Sequence, residues 1–281
     1  MTPYQKRYGR PVPDPEAVPN EFVNNILRRG SCRTFNGEPL KPGTLELLVA
    51  AAQSAPTSGM LQTWSVIALT TPEEKASIYK KTFFSPNNIQ LIGGIDSHNV
   101  NAIASSAVVM IWLADLSRLK LILNSIDVDE RIREQPTFAE YHLKAIVDAT
   151  IAAQTFCLAA ESMGIEGTYC GAIRQLPMEF FKTTFNLPKH TFPVFGTIHG
   201  YPESKQPPLV KARLPSEIVL HRGTYTKMKS TDELQEYNKV HARNISKNVS
   251  SFESRVVERL KPTYSKESIG TALRYMGFDF K

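Results

Sequence analysis

Two arginines and a serine occupy alternate positions in Arg29-Gly30-Ser31-Cys32-Arg33, where a helical pattern ends and a polar stretch begins. Alternate side chains of an extended segment point the same way, so Arg29, Ser31 and Arg33 can converge on one anion. Forked guanidinium donors beside a hydroxyl suit the several acceptor oxygens of a phosphate. Each such charged hydrogen bond is worth about 1.5–3 kcal/mol. Lys211 and Arg213 repeat the alternation in a proline-rich stretch. Ala55-Pro56-Thr57-Ser58-Gly59-Met60-Leu61-Gln62 offers hydroxyl and backbone donors suited to a polar ring edge. Gly167-Thr168-Tyr169-Cys170-Gly171-Ala172-Ile173-Arg174 sets glycine in a strand pattern, where backbone can approach a ligand. Taken singly, these stretches read more simply as a solvated basic turn, surface charge, a helix-to-strand connection and a bulged core strand.

Several chemistries lack their usual signatures. No GxGxxG follows a strand pattern, and neither GxxxxGK[ST] nor GxSxG occurs. The three cysteines, Cys32, Cys157 and Cys170, are odd in number and show no CxxC spacing. They point to free thiols in a reducing compartment rather than to disulfides or zinc, and so to the cytoplasm. The six histidines form no HExxH or similar pattern, so no metal is expected. No run of about 18 apolar residues appears, so no membrane span is expected either.

Charge is unevenly spread over the 281 residues. Residues 1–204 carry 18 Lys+Arg against 19 Asp+Glu, and residues 205–281 carry 15 against 8. The whole excess of +6 therefore lies in the C-terminal quarter. A basic surface attracts polyanions, either nucleic acid or a small phosphorylated cofactor. No aromatic-interleaved basic stretch favours nucleic acid.

The elements that must position these residues follow from periodicity. Helices are expected over Asn20 to Arg29, Pro42 to Ser54 and Pro177 to Asn186, and from the Thr71-Pro72-Glu73-Glu74 start signal. Strands are expected over Trp64 to Thr70, Ala107 to Leu113, Thr168 to Ile173 and Pro193 to His199. Residues 83–101 read as irregular, 127–135 as a loop or short helix, and 201–225 as extended. Three helical patterns close the chain, near 231–244, 251–260 and 265–276. The longest helix, Tyr141 to Met163, is small and apolar on nearly every side from Ala145 to Ala160, so it needs cover all round and suggests a subunit interface. Residues 1–20, polar and proline-rich without the apolar core of a signal peptide, read as an extended N-terminal arm. One sheet flanked by helices is the natural architecture, with no clear boundary within 21–281.

Together the motifs resemble the nitroreductase family. Arg28 to Phe35 stands where that family has RRSxRxF, and Ala55 to Trp64 where it has APSSxNxQPW. Gly164-x-x-Gly167-Thr168-Tyr169-Cys170-Gly171, Leu187-Pro188 and Gly200-Tyr201-Pro202 continue the likeness. Val147-Asp148 through Gln154, Lys211-x-Arg213-Leu214-Pro215 and Lys266-Glu267-Ser268 are similar to the NADPH-dependent oxygen-insensitive nitroreductase A and flavin reductase P subgroup. The resemblance implies an α+β, nitroreductase-like fold: a central, mostly antiparallel sheet flanked by helices in an intertwined homodimer, with a C-terminal helical extension.

The resemblance also implies tightly bound FMN, with NADPH as hydride donor and NADH as the lesser alternative. Arg29, Gly30, Ser31, Cys32 and Arg33, with Lys211 and Arg213, would hold the phosphate and ribityl chain. Thr57, Ser58 and Gly59, with Tyr169, Cys170, Gly171 and Ala172, would meet the flavin ring. Arg174 and Arg243 would face the nicotinamide nucleotide, and no side chain is expected to act as acid or base. The implied activity is ping-pong, two-electron reduction of nitroaromatics, quinones or free flavin. Its partners would be a small-molecule acceptor and a second copy of the chain, without nucleic acid, membrane or metal. Ene reduction, dehalogenation or flavin destruction is the enzymatic alternative, and a basic nucleic-acid-binding protein the remote one. Gly30, Met60 and Thr63 depart from the family pattern. Residues 83–101 and 116–140 run longer than is usual in it.

Overall fold

Local capping explains where several helices begin. The computed structural model describes residues 1–12, 16, 18–79, 82–84, 90–92, 97–204, 208–242, 251–260 and 269–278. Helix α1 spans Pro3–Tyr8 and α2 spans Glu21–Arg28, with the side chains of Thr2 and Asn20 accepting their first free N–H groups. Helix α3 is Thr44–Gln53; Gly43 sits in the left-handed region just before it, so the helix starts two residues later than the Pro42 signal suggests. Strand β1 is Trp64–Leu69, and α4, Pro72–Ser77, opens on the expected capping box between Thr71 and Glu74. Then come β2 (Thr82–Phe84), β3 (Gln90–Ile92), α5 (Ser97–Ser105), β4 (Val108–Asp115), α6 (Ser117–Ser125) and α7 (Glu130–Glu134). Next are α8 (Ala139–Ser162), β5 (Glu166–Cys170), α9 (Met178–Phe185) and β6 (Thr191–Gly200). Helices α10 (Ser216–Val219), α11 (Gln235–Ala242), α12 (Phe252–Leu260) and α13 (Ile269–Tyr275) close the order.

Four expectations need correcting. Residues 3–8 of the supposedly extended arm are helical, because Pro3 suits the first helical turn and Thr2 caps it. The stretch 83–101 holds parts of β2 and α5 and all of β3, elements too short to show a period. The α6 helix went unread because Leu119, Leu121 and Leu123 alternate as in a strand while Leu119, Ile122 and Leu123 share a helical face, so its period is ambiguous. The strand expected over 168–173 ends at Cys170 and continues as a 3-10 turn, Gly171–Gln175.

The chain forms two compact units, one made of Met1–Ser31 and Gln206–Tyr264, the other of Cys32–Lys205 and Ser265–Lys281. The larger contains a four-stranded sheet in the order β1-β4-β6-β5, antiparallel throughout. Every residue of β4 and β6 is buried, which is why the central strands read as near-continuous apolar runs. Helix α8 packs on this sheet and on α3 through Ala145, Ala149, Ala152, Ala153 and Ala160. Alanines let the helix axis approach closely, and Phe156 fills the space above Trp112, edge-on at 5.6 Å. The Trp112 indole N–H donates to Thr197 Oγ1 at 2.9 Å, satisfying the one polar atom of that fully buried ring. By length and composition α8 could cross a membrane, contrary to the expectation from apolar runs, but its alanine face belongs to this core.

In the smaller unit, α1 packs on α2 and α11, and Tyr237 and Val240 of α11 form a minor core with Ala212. The C-cap of α1, Gly9, is left-handed, and a Cβ there would lie 2.5 Å from Val240 Cγ2.

Burial also sets an acid limit. His142 on α8 lies between Phe192 and Phe278, with ring centroids 5.7 and 4.6 Å away, and desolvation lowers its pKa from 6.5 to about 4. The unfolded imidazole takes a proton near 6.5 and the folded one only near 4. Its share of stability is therefore complete above pH 6.5 and declines as pH falls from 6.5 toward 4. Denaturant midpoints measured across that window should fall more steeply for the native chain than for His142→Gln; parallel slopes would exclude His142 as the cause.

Candidate functional site

The last carbonyls of a helix lack intrahelical partners. At the end of α2 they are met by a guanidinium from α1. Arg7, only 7% exposed, donates to the carbonyls of Leu27 at 2.6 Å, Arg29 at 2.8 Å and Ile26 at 3.4 Å. It also reaches the Lys211 carbonyl at 3.4 Å, while its own carbonyl accepts the Arg213 N–H at 3.2 Å. The cations expected at Arg29, Lys211 and Arg213 are thereby gathered around a fourth. Burial first, and then the charges of Arg213 and Arg29, hold the Arg7 pKa below its ordinary value. A groove of about 480 Å³ runs along this cluster, lined by Arg7, Arg29 and Arg213 with Tyr8, Ile26, Leu27, Leu214 and Val219. Three arginines and no carboxylate line it, a composition that fits a phosphate, although the Arg7 and Arg213 guanidiniums also donate to backbone carbonyls and the neighbouring cavity on Arg7 and Arg213 includes Glu217, Glu233 and Glu236.

Gly30 departs from the family pattern for a packing reason. A Cβ at this position would lie 2.6 Å from Pro208 Cβ and 2.8 Å from the Leu209 carbonyl oxygen. A larger residue would push away the segment that leads to Lys211 and Arg213. Burial alternates along the clamp: Gly30 and Cys32 are buried, while Arg29, Ser31 and Arg33 are half-buried.

In the larger unit, the Cys32 N–H donates to the Gly167 carbonyl at 3.1 Å, which sets Arg33 beside the start of β5. The Cys32 thiol turns to the Thr34 carbonyl at 3.4 Å, and burial raises its pKa, which keeps it a neutral thiol. Tyr169 donates to Gln154 Oε1 of α8 at 3.1 Å and tilts against Phe195. After it, Cys170 is buried, Gly171 is exposed and Ala172 is half-buried on the 3-10 turn. Arg174, expected toward the nicotinamide, is exposed and donates to the Val194 carbonyl of β6. Arg243 lies outside the described residues.

The Thr57–Gly59 loop is anchored elsewhere on α8. Asp148, 1% exposed, accepts the Ser58 N–H at 2.9 Å, the Thr63 hydroxyl at 2.7 Å and the Thr63 N–H at 3.4 Å. Between these points Gly59, Met60 and Gln62 all have positive φ, at 60°, 55° and 51°. Met60 and Gln62 adopt that region at a cost of about 1–3 kcal/mol each, which the anchors must offset. Arg118 holds the loop's far end, donating to the Gln62 and Trp64 carbonyls at 2.7 and 2.8 Å while paired with Asp115 at 2.8 Å. Thr63 stands where the family pattern has proline, and its hydroxyl is one of the anchors. Asp148 and Gln154 are six residues apart on α8, so about 9 Å of helix rise separates the supports of the loop and of Tyr169.

Arg7, Asp148 and Arg118 were not among the sequence candidates. Asp148 carried two signals: it is a lone carboxylate in the small, apolar middle of its helix, and it lies in the Val147–Gln154 stretch that resembles the subgroup. Arg7 and Arg118 carried none.

Comparison with known proteins places this arrangement. The model of the nitroreductase family matches residues 26–201, and that of the family's C-terminal domain matches residues 211–281. The chain belongs to the nitroreductase family. It is 33% identical over 220 residues to a CR(VI) reductase of Pseudomonas sp. (strain G-1), covering 77% of this chain and 81% of that one. It is 29% identical over 229 residues to an FMN reductase (NADPH) of Bacillus subtilis (strain 168), covering 81% and 82%. The solved NADPH:FMN oxidoreductase of Vibrio harveyi, complexed with NAD+, superposes with a TM-score of 0.74 at 26% identity, covering 92% of this chain and 98% of that one.

Replacing Asp148 tests the loop anchor. Asp148→Ala strands the Ser58 and Thr63 donors and should lower stability by about 3 kcal/mol, read as a reduced denaturant midpoint. A midpoint equal to that of the native chain would exclude the carboxylate as the loop's support.

Proposed function

We propose that this chain is an FMN-dependent NAD(P)H oxidoreductase that reduces nitroaromatics, quinones or free flavin by two electrons, with NADPH as favoured donor. The observation that carries the reading is the groove lined by Arg7, Arg29 and Arg213 without a carboxylate, in a chain of this family. When bound, FMN would supply the redox chemistry between the nicotinamide and the acceptor.

The chain's own residues bind and orient. Arg29, Ser31 and Arg33, with Lys211 and Arg213, neutralise the phosphate, and Gly30 keeps the 208–213 segment close to them. Cys32 contributes backbone. Thr57, Ser58 and Gly59 face the ring edge from the loop that Asp148 holds, and Tyr169, Cys170, Gly171 and Ala172 lie along the ring. Fixed N–H groups of these segments stabilise negative charge without reorganising. Arg174 and Arg243 are assigned to the nicotinamide nucleotide.

A homodimer completes this reading. Leu143, Val147 and Ile151 lie four residues apart on the face of α8 turned away from the alanine core and are 57%, 41% and 36% exposed. An apolar stripe of this kind is covered by an isologous contact with a second copy. The three cysteines are free and buried, which supports a cytoplasmic location.

The purified protein should be yellow and should oxidise NADPH faster than NADH with a nitroaromatic or quinone acceptor. A colourless protein that takes up no added FMN would overturn the assignment. Val147→Asp should move the chain from dimer to monomer in analytical ultracentrifugation; a native chain that sediments as a monomer would refute the dimer.

A further inference from the structure

We propose that Arg7, in the segment preceding the family-matched region, is a positioning residue that assembles the phosphate clamp of the smaller unit. This rests on the flavin reading above and deepens it by assigning phosphate recognition partly to the N-terminal segment.

Residues 1–25 precede the stretch that the family model matches, so the clamp's own motif begins without them. In this chain they are not an idle tail. Thr2 and Gln5 close a reciprocal capping box at the start of α1, and Gly9 ends the helix against Val240 of α11. Held at both ends, α1 delivers Arg7 into a buried position.

From there one guanidinium joins two strands of chain that are distant in sequence. It binds the carbonyls of Ile26, Leu27 and Arg29 on one side and of Lys211 on the other. The Arg7 carbonyl closes the link through the Arg213 N–H. Arg29 and Arg213 are therefore set on a common groove by a residue that belongs to neither motif. Carbonyl acceptors orient the Arg7 fork, and a lysine amine cannot span the same set, because its donors radiate from one atom.

The arrangement also concentrates charge. Burial, and then the charges of Arg213 and Arg29, lower the Arg7 pKa, and an anion in the groove would offset the charge part of that effect. The contribution of Arg7 should then depend on the phosphate of the ligand and not on its ring. FMN and riboflavin share the ring and differ in that phosphate, so they separate a positioning role from a merely structural one.

The test uses full-length apoprotein, titrated with FMN and with riboflavin while ligand fluorescence is followed. Arg7→Met should raise the Kd for FMN about tenfold or more, while the Kd for riboflavin stays near the native value. Arg7→Lys, which keeps the charge and loses the fork, should shift the FMN value in the same direction by less. An unchanged FMN Kd in both variants, or equal weakening of FMN and riboflavin, overturns the inference. If Arg7→Met does not fold, the Arg7→Lys titration decides by the same comparison. Native protein that binds neither ligand would instead overturn the flavin reading itself.

Discussion

A carboxylate buried in an alanine-lined helix is expensive unless its oxygens are met, and in the larger unit they are met by one loop. Asp148 takes two N–H groups and a hydroxyl from Ser58 and Thr63. That loop contains two non-glycine residues in the left-handed region, which local preference alone would not hold. The need to satisfy Asp148 and the need to restrain the loop therefore answer each other. The alanines around it allow α8 to lie close on the sheet, so the anchor sits at a fixed height above β1 and β4. Further along the same helix Gln154 receives the Tyr169 hydroxyl. One rigid element thus sets the positions of both segments assigned to the flavin ring.

The smaller unit follows a different economy of charge. Helix α2 ends in carbonyls that need donors, and the donor is a buried arginine from α1. That solves a capping problem and at the same time brings a guanidinium beside two others. Like charges repel; backbone carbonyls offset part of the repulsion, and no carboxylate lines the groove to offset the rest. The proposed recognition of a phosphorylated ligand would then depend on how α2 is capped. Gly30 is part of the same solution, because only the smallest residue lets the 208–209 backbone pass.

These two devices suit an enzyme whose cofactor carries the reactivity. No constellation of acid, base or nucleophile is needed, and the residues brought together are donors, cations and small backbone positions. The strands supply a rigid support because β4 and β6 are buried along their whole length. The loops and turns at their ends carry the residues assigned above to the cofactor. Membership of the nitroreductase family agrees with this division of labour.

Much of this was legible in the residues themselves. The capping box at Thr71 and Glu74, the apolar runs of β4 and β6 and the length of α8 depend on local chemistry, and they emerged where periodicity placed them. The alternation at Arg29, Ser31 and Arg33 was equally local. What the sequence could not disclose depended on partners far along the chain. The Arg7 guanidinium bonds to carbonyls about 20 and about 200 positions away, and Asp148 to donors 85 and 90 positions away. Nothing in a one-dimensional pattern ties a lone charge to such partners. The helix in the supposed arm and the 3-10 turn after Cys170 were missed for a related reason: elements of a few residues have too little period to read. Sequence alone determined the longer elements and the family, because these rest on residue type and spacing. Tertiary structure alone decided which cations share a groove and which carboxylate holds the loop, because buried charges choose their partners only once the chain is folded.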